Sequence, residues 1–203
     1  GSEMCIRDRI TSDGFELGDM SNTTADHAVS MEISVADGVE VMRGPETLVY
    51  GSNTIAGIIN IITPFKNPKK LPSTNYKLLF GHESSNQSNL IGSDVNIPLN
   101  DYQLAISLNK RSTNDQSSPI GTLKNTALEK NDLTLGLTKF GERDLITIEL
   151  KDFSMDYGIP GSPEGHINGV DLALKNQTQK LKYHSDVNLL SFNILDLEQG
   201  YIR

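Results

Sequence analysis

At 203 residues the chain has room for one or two domains. Its net charge of −8 argues against a nucleic-acid partner, which needs a basic face, and its single cysteine, Cys5, excludes an intramolecular disulfide. No run approaches the ~18 apolar residues of a spanning helix; a membrane β-barrel stays open, because its strands are apolar on one face only and an apolar share of 36% suits that pattern.

Residues 1–9, GSEMCIRDR, share no pattern with the rest of the chain. Gly1-Ser2 reads as a cloning scar and MCIRDR as translated adapter sequence, so this segment is set aside as a non-native leader. An ordinary N-terminus is the bland alternative. Asp26-His27 offers metal-ligand chemistry, but a His beside an Asp in a loop is more often a hydrogen-bonded turn.

The stretch VEVMRGPETLVYGSNTIAGIINIITP, residues 39–64, has two strand-like runs around two turns. The first run is expected to bury Val39 and Val41. Gly44-Pro45 breaks it, and Pro45 suits the first position of a helical turn over PETLVY. Gly51 accommodates a positive φ at the end of that turn. GIINIIT then reads as a buried strand stopped by Pro64. The glycines superficially suggest a phosphate loop, yet the Lys-Ser/Thr of a P-loop and the G-x-G-x-x-G spacing are both missing.

PFKNPKKLP, residues 64–72, reads as a linker with three Pro and three Lys. Beyond it, alternation dominates. Tyr76, Leu78 and Phe80 alternate, as do Val95, Ile97 and Leu99, and Tyr102 through Leu108. Leu133, Leu135 and Leu137 come next, then Ile146, Ile148 and Leu150, then Val170, Leu172 and Leu174. Leu190, Phe192 and Ile194 close the series. LNDY (99–102), GERD (141–144) and SDVN (185–188) read as tight turns. Between them lie longer polar stretches at 82–89, 111–131 and 156–169. Short and long connections thus alternate, as in an outer-membrane barrel and not in a soluble sandwich. Leu104, Ile106 and Leu108 should share a lipid-facing side with Leu133, Leu135 and Leu137. Gln103, Ser107, Thr134 and Thr138 should face the lumen. Single-chain bacterial barrels have even strand numbers, so about seven strands should not close alone. With EQGYIR running to the last residue, the chain reads as a piece of a longer protein.

The stretch from Val39 to Thr63 resembles the signature that ends the plug domain of TonB-dependent outer-membrane receptors. The residues that carry the likeness are Glu40, Val41, Arg43, Gly44, Pro45, Tyr50, Gly51, Gly57 and Asn60 through Thr63. Val39, Thr54 and Ala56 depart from the family pattern, and Ala56 weakens the case for a close backbone approach there. DGFELGDMSNTTADHAVSMEIS (13–34) and MDYGIPGSPEGH (155–166) resemble segments of the subgroup that takes up zinc, haem or iron compounds.

The resemblance implies a mostly β chain: a small α+β plug segment followed by antiparallel strands of a transmembrane β-barrel. Residues 10–66 would be the C-terminal part of the plug, 67–74 a linker, and 75–203 the first wall strands. It implies a receptor in the bacterial outer membrane that moves a small metal-containing substrate, with energy from the TonB complex acting on a TonB box upstream of these residues. A barrel of about 22 strands encloses a plugged lumen, so the plug must move for substrate to pass.

Glu40, Arg43, Gly44, Pro45, Tyr50, Gly51, Gly57 and Asn60 form the plug signature, read as structural. Arg43 with Glu40 is either an ion pair that switches between plug and wall or, the favoured reading, a fixed pair holding the turn. Tyr50 is read as packed rather than ligand-binding. Asp156, Tyr157, Glu164 and His166 are the candidate substrate contacts, since two carboxylates and an imidazole suit Zn²⁺. His82 and His184 fall at opposite ends of the barrel and cannot share an ion. There is no G-x-S-x-G, H-E-x-x-H or paired-Cys site, so neither an enzyme nor a cofactor is expected. The rival class is a soluble all-β binding or adhesion module.

Overall fold

A computed structural model describes residues 9–17, 31, 33, 36–45, 47, 57–66, 68–162, 167–186 and 195–202. The chain forms two compact units, Gly1–Pro68 and Lys69–Arg203.

The first unit holds a four-stranded sheet of β1 (Arg9–Ser12), β2 (Phe15–Glu16), β3 (Gly38–Met42) and β4 (Ile58–Ile62), in the order β2-β1-β4-β3. Arg9, which the sequence assigns to the leader, opens β1 and pairs with Ile58. β4 is central, parallel to β1 and antiparallel to β3. Its position explains its run of branched apolar residues: Ile58 and Ile61 are fully buried, as expected of GIINIIT. Ile61 packs with Leu17 and Met31, against Ile10 and Ala36.

Val39 and Val41 correct the expectation of burial, being 52% and 61% exposed. β3 is an edge strand, and the cluster on Ile61 does not extend over it. Gly44 breaks the strand with φ +86, where an L side chain would be strained. The turn closes through Thr47, whose amide and hydroxyl both donate to the Gly44 carbonyl at 3.1 and 2.8 Å. Tyr50 and Gly51 lie outside the described residues.

The second unit is a seven-stranded antiparallel meander. Its strands are β5 (Asn75–Glu83), β6 (Ser88–Leu99), β7 (Tyr102–Thr113), β10 (Leu128–Phe140), β11 (Asp144–Ile159), β12 (Val170–Ser185) and β13 (Leu195–Ile202). A separate small hairpin, β8 (Gln116–Ser118) with β9 (Gly121–Leu123), lies within the β7–β10 connection. The two tight turns at 99–102 and 141–144 form as expected, the first with Asn100 at φ +56.

Four connections differ from the sequence reading, the stretch read as 111–131 being only 114–127 between β7 and β10. His82 and Asn89 pair within the β5–β6 ladder, so that loop shrinks to 84–87. β11 continues through Asp156 and Tyr157 to Ile159, so the loop begins only at Pro160. At the other end Ser185 pairs with Leu195, and the connection spans 186–194 instead of a tight turn. Residues 187–194, with Leu190, Phe192 and Ile194, lie outside the described residues.

Registers between β7 and β10 set Leu108 opposite Leu133, Ile106 opposite Leu135 and Leu104 opposite Leu137. These six share one face, as the alternation requires. β11 extends the rows with Leu150 and Ile148, and β12 with Leu181. The other face carries Gln103, Ser107, Thr134 and Thr138, all buried. Leu108, Leu133, Leu135 and Leu137 are exposed, while Leu104 and Ile106 are half-buried. The meander is therefore inverted relative to a water-soluble sheet: its buried face is mostly polar and its exposed face is apolar. Soluble monomers seldom expose a contiguous apolar patch beyond a few hundred Å², and a sandwich buries the apolar face of each sheet.

Candidate functional site

In the first unit, chemistry gathers on the Asn60 side chain. The β3–β4 register sets Asn60 opposite Glu40, and the β1–β4 register sets it opposite Thr11. Asn60 Nδ2 donates to Glu40 Oε2 at 2.9 Å. Its Oδ1 accepts from the Thr11 hydroxyl at 3.0 Å and from the Gly14 amide at 2.8 Å. Asp13, buried at φ +53, accepts from the Thr63 amide at 2.8 Å and its hydroxyl at 2.6 Å. These bonds tie the β1–β2 turn to β4 and satisfy groups that would be costly to bury alone.

Glu40 and Arg43 are not an ion pair: among the described residues no salt bridge joins them, and Glu40 is engaged by Asn60. The reading of a fixed pair that holds the turn is thereby corrected. Gly57 accepts from the Arg9 amide at 2.9 Å and so helps to seat β1 beside β4. Pro45 is exposed in the turn.

The inward face of the wall carries a ladder of buried polar contacts. The Ser107 hydroxyl donates to Asp94 at 2.6 Å. Lys151 pairs with Asp132 at 3.0 Å and lies 5.5 Å from the Phe153 ring centroid. Glu149 stands between two lysines, 3.4 Å from Lys180 and 3.9 Å from Lys182. All three are at most 5% exposed. Thr138 and Thr147 share a 3.0 Å hydrogen bond one row away. Sequence reasoning found the threonines but not the charges. The available signal was the second parity of each strand: Lys180 and Lys182, like Asp132 and Thr134, are two residues apart.

Of the candidate substrate residues, Asp156 and Tyr157 both line one cavity. Asp156 and Tyr157 are consecutive in β11 and point to opposite faces. Asp156 is opposite Glu129 and shares the outward face with Asp171, which is opposite Gly158. These carboxylates, with Asn114 and Asn125, line that shallow cavity, of about 530 Å³, at the long-loop end. Glu129 is occupied by Lys110 at 2.9 Å. Tyr157 is half-buried on the inward face, opposite Leu128 and Leu172. Glu164, His166, Asp26 and His27 lie outside the described residues. Among the described residues no three His, Cys, Asp or Glu side chains are placed to hold a metal ion. His82 bonds Asn89 at 3.0 Å, and His184 lies 3.5 Å from Asp186 at the opposite end of the strands.

Asp115, before the small hairpin, has its carboxyl held below the ordinary range. The main cause is the Thr126 amide, which donates to Oδ1 at 2.8 Å; the Ala127 amide adds a second bond at 3.1 Å, and Lys124 contributes charge.

No family model matches the chain. In structure it is similar to the copper transporter OprC, with a TM-score of 0.76 and 15% identity, over 96% of this chain and 29% of that one. It is also similar to the siderophore receptor PirA from Acinetobacter baumannii, with a TM-score of 0.73 and 17% identity, over 98% of this chain and 32% of that one. The FrpB iron transporter from Neisseria meningitidis matches with a TM-score of 0.66 and 18% identity, over 83% of this chain and 29% of that one. The chain spans about a third of the length of these structures. Identities this low show a shared fold. That fold, a mostly β chain whose antiparallel strands form an open sheet, is the one the sequence predicts.

Proposed function

We propose that the chain supplies the end of the plug and the first wall strands of an outer-membrane receptor that takes up a metal or metal complex. Energy would reach it through the TonB complex. The observation that carries this reading is the inversion of the wall. Leucines and isoleucines stand exposed in registered rows, while carboxylates, lysines and threonines are buried on the other face. Lipid satisfies the first face and a plugged lumen the second. The neighbours in structure are named as transporters or receptors for copper, siderophores and iron, which supports metal-containing cargo. Zinc, haem and an iron–siderophore complex are the candidates.

Facing refines the choice of contact residues. A substrate that passes through the lumen meets Tyr157, whereas Asp156 points away from it. A neutral imidazole with a carboxylate would favour Zn²⁺, while His166 alone would serve as an axial ligand to haem.

The test is growth of a strain with and without the receptor containing this chain, its other metal receptors deleted, under zinc, haem or iron limitation. Loss with both His166→Ala and Glu164→Gln under zinc limitation would identify zinc. Loss with His166→Ala alone under haem limitation would identify haem. Growth that never depends on the receptor, whatever the metal source, would contradict the proposal.

A further inference from the structure

The segment that follows the small hairpin reaches the far ends of β11 and β12 through the Asn125 side chain, beside a backbone bond from the Gly158 amide to the Ala127 carbonyl at 3.1 Å. Asn125 follows β9 and adopts φ +61, a conformation Asn tolerates better than other non-glycine residues. Its Nδ2 donates to the Ile159 carbonyl at 2.8 Å and to the Val170 carbonyl at 3.2 Å. Ile159 and Val170 are the last register pair of the two strands. One primary amide, with its two hydrogens, thus spans two neighbouring strand ends.

The seat is closely shaped. A Cβ on Gly169 would lie 2.5 Å from the Asn125 amide nitrogen and 2.4 Å from the Ile159 oxygen. A Cβ on Gly158 would lie 2.6 Å from the Asn125 backbone oxygen. On the hairpin side the segment bonds within itself and, through the Ser117 amide to the Ser85 carbonyl at 2.9 Å, to the β5–β6 connection. Asp115 accepts from the Thr126 and Ala127 amides, and the Thr126 hydroxyl donates to the Leu123 carbonyl at 2.9 Å while accepting from the Gln116 amide at 2.7 Å.

We propose that Asn125 is a latch that couples the β8–β9 hairpin to the paired ends of β11 and β12, so that loosening either one loosens the other. Asn125 and the Ile159–Val170 pair are far apart in sequence, and this amide joins them. The coupling does not depend on what, if anything, the strands transport, so it can fail while the receptor reading stands, and the reverse.

The experiment is hydrogen–deuterium exchange on the detergent-solubilised protein that carries this chain. Asn125→Gly keeps the backbone conformation and removes both donors. Asn125→Asp keeps the shape but turns a carboxylate toward two carbonyls. Loss of two hydrogen bonds of ordinary net strength should speed local opening at least about tenfold. The acceleration is expected at residues 157–160 and 168–172, not only at 114–127. Coupling is reciprocal, so Gly169→Ala should speed exchange across 116–123. Ser118→Ala removes a bond within the hairpin tip, from the Ser118 hydroxyl to the Gly121 carbonyl at 2.7 Å, and should leave 157–172 unchanged. Acceleration confined to 114–127 in the Asn125→Gly variant, or equal acceleration of 157–172 by Ser118→Ala, would overturn the proposal.

Discussion

Glu40 on β3 and Asn60 on β4 are joined across the strand pair by a 2.9 Å hydrogen bond, and the amide oxygen of the same Asn60 holds Thr11 and Gly14. A single fully buried amide therefore connects three strands and a turn. Asn60→Leu should destabilise the first unit by about 1–3 kcal/mol, because Thr11 and the Gly14 amide lose their buried acceptor. Arg43→Ala removes an exposed side chain and should stay within about 0.5 kcal/mol. Chemical denaturation of the two variants checks the pair. A larger loss for Arg43→Ala than for Asn60→Leu would reinstate an ionic role for Arg43.

Glu149, held between Lys180 and Lys182, makes a second prediction. Glu149→Gln leaves two buried ammonium groups without their shared carboxylate, which should cost about 3–5 kcal/mol. Glu142→Gln, in the exposed turn after β10, should cost almost nothing by comparison. The unfolding midpoint in detergent distinguishes them. Equal midpoints would mean that the buried ion network contributes no net stability to the wall.

Asp115 gives a pH dependence with a definite sign. Its folded pKa lies below the ordinary value of 3.8. The stabilisation is therefore present above that value and is lost as pH falls through the lower, folded one. Protection of the β8–β9 hairpin, taken relative to the intrinsic exchange rate at each pH, should fall on acidification below the ordinary carboxylate range. Asp115→Asn should exchange faster already at neutral pH and show a weaker acid response. A hairpin equally protected at all pH values in both proteins would contradict the assigned role of the Thr126 and Ala127 amides.

Much of this fold is legible in the sequence, because period-two alternation marks strands whichever face is buried. Leu133, Leu135 and Leu137 are enough to place β10 and to pair its parity with β7. The same alternation does not say whether leucines point inward or outward; the uneven lengths of the connections and the plug signature supply that. The β11 extension escapes notice because DYGI is polar and glycine-containing, yet the ladder with β12 continues to Ile159. Val39 and Val41 mislead because an edge position belongs to the sheet, not to the local run. The Glu149–Lys180 contact is invisible without the β11–β12 register, which brings residues 31 positions apart into direct opposition.

Asp156 and Tyr157 make a functional prediction from facing alone. In the receptor containing this chain, Tyr157→Ala should lower substrate uptake several-fold, and Asp156→Asn should leave it near the parent level. Uptake assays with a radioactive metal or metal complex measure both. Loss in Asp156→Asn with none in Tyr157→Ala would place the substrate path on the other side of the wall.

The central claim is that the exposed leucine face meets lipid and the polar face lines a lumen. Leu135 and Thr134 are neighbours in β10, 38% and 6% exposed, on opposite faces. Single cysteines at these positions, in the receptor containing this chain with Cys5 replaced, can be treated in intact membranes with a water-soluble thiol reagent and, separately, with a lipid-soluble one. Leu135→Cys should react with the lipid-soluble reagent and resist the water-soluble one. Thr134→Cys should show the opposite preference once the plug is displaced by denaturant too mild to open the barrel. Ready labelling of Leu135→Cys by the water-soluble reagent in folded, membrane-embedded protein would contradict the account.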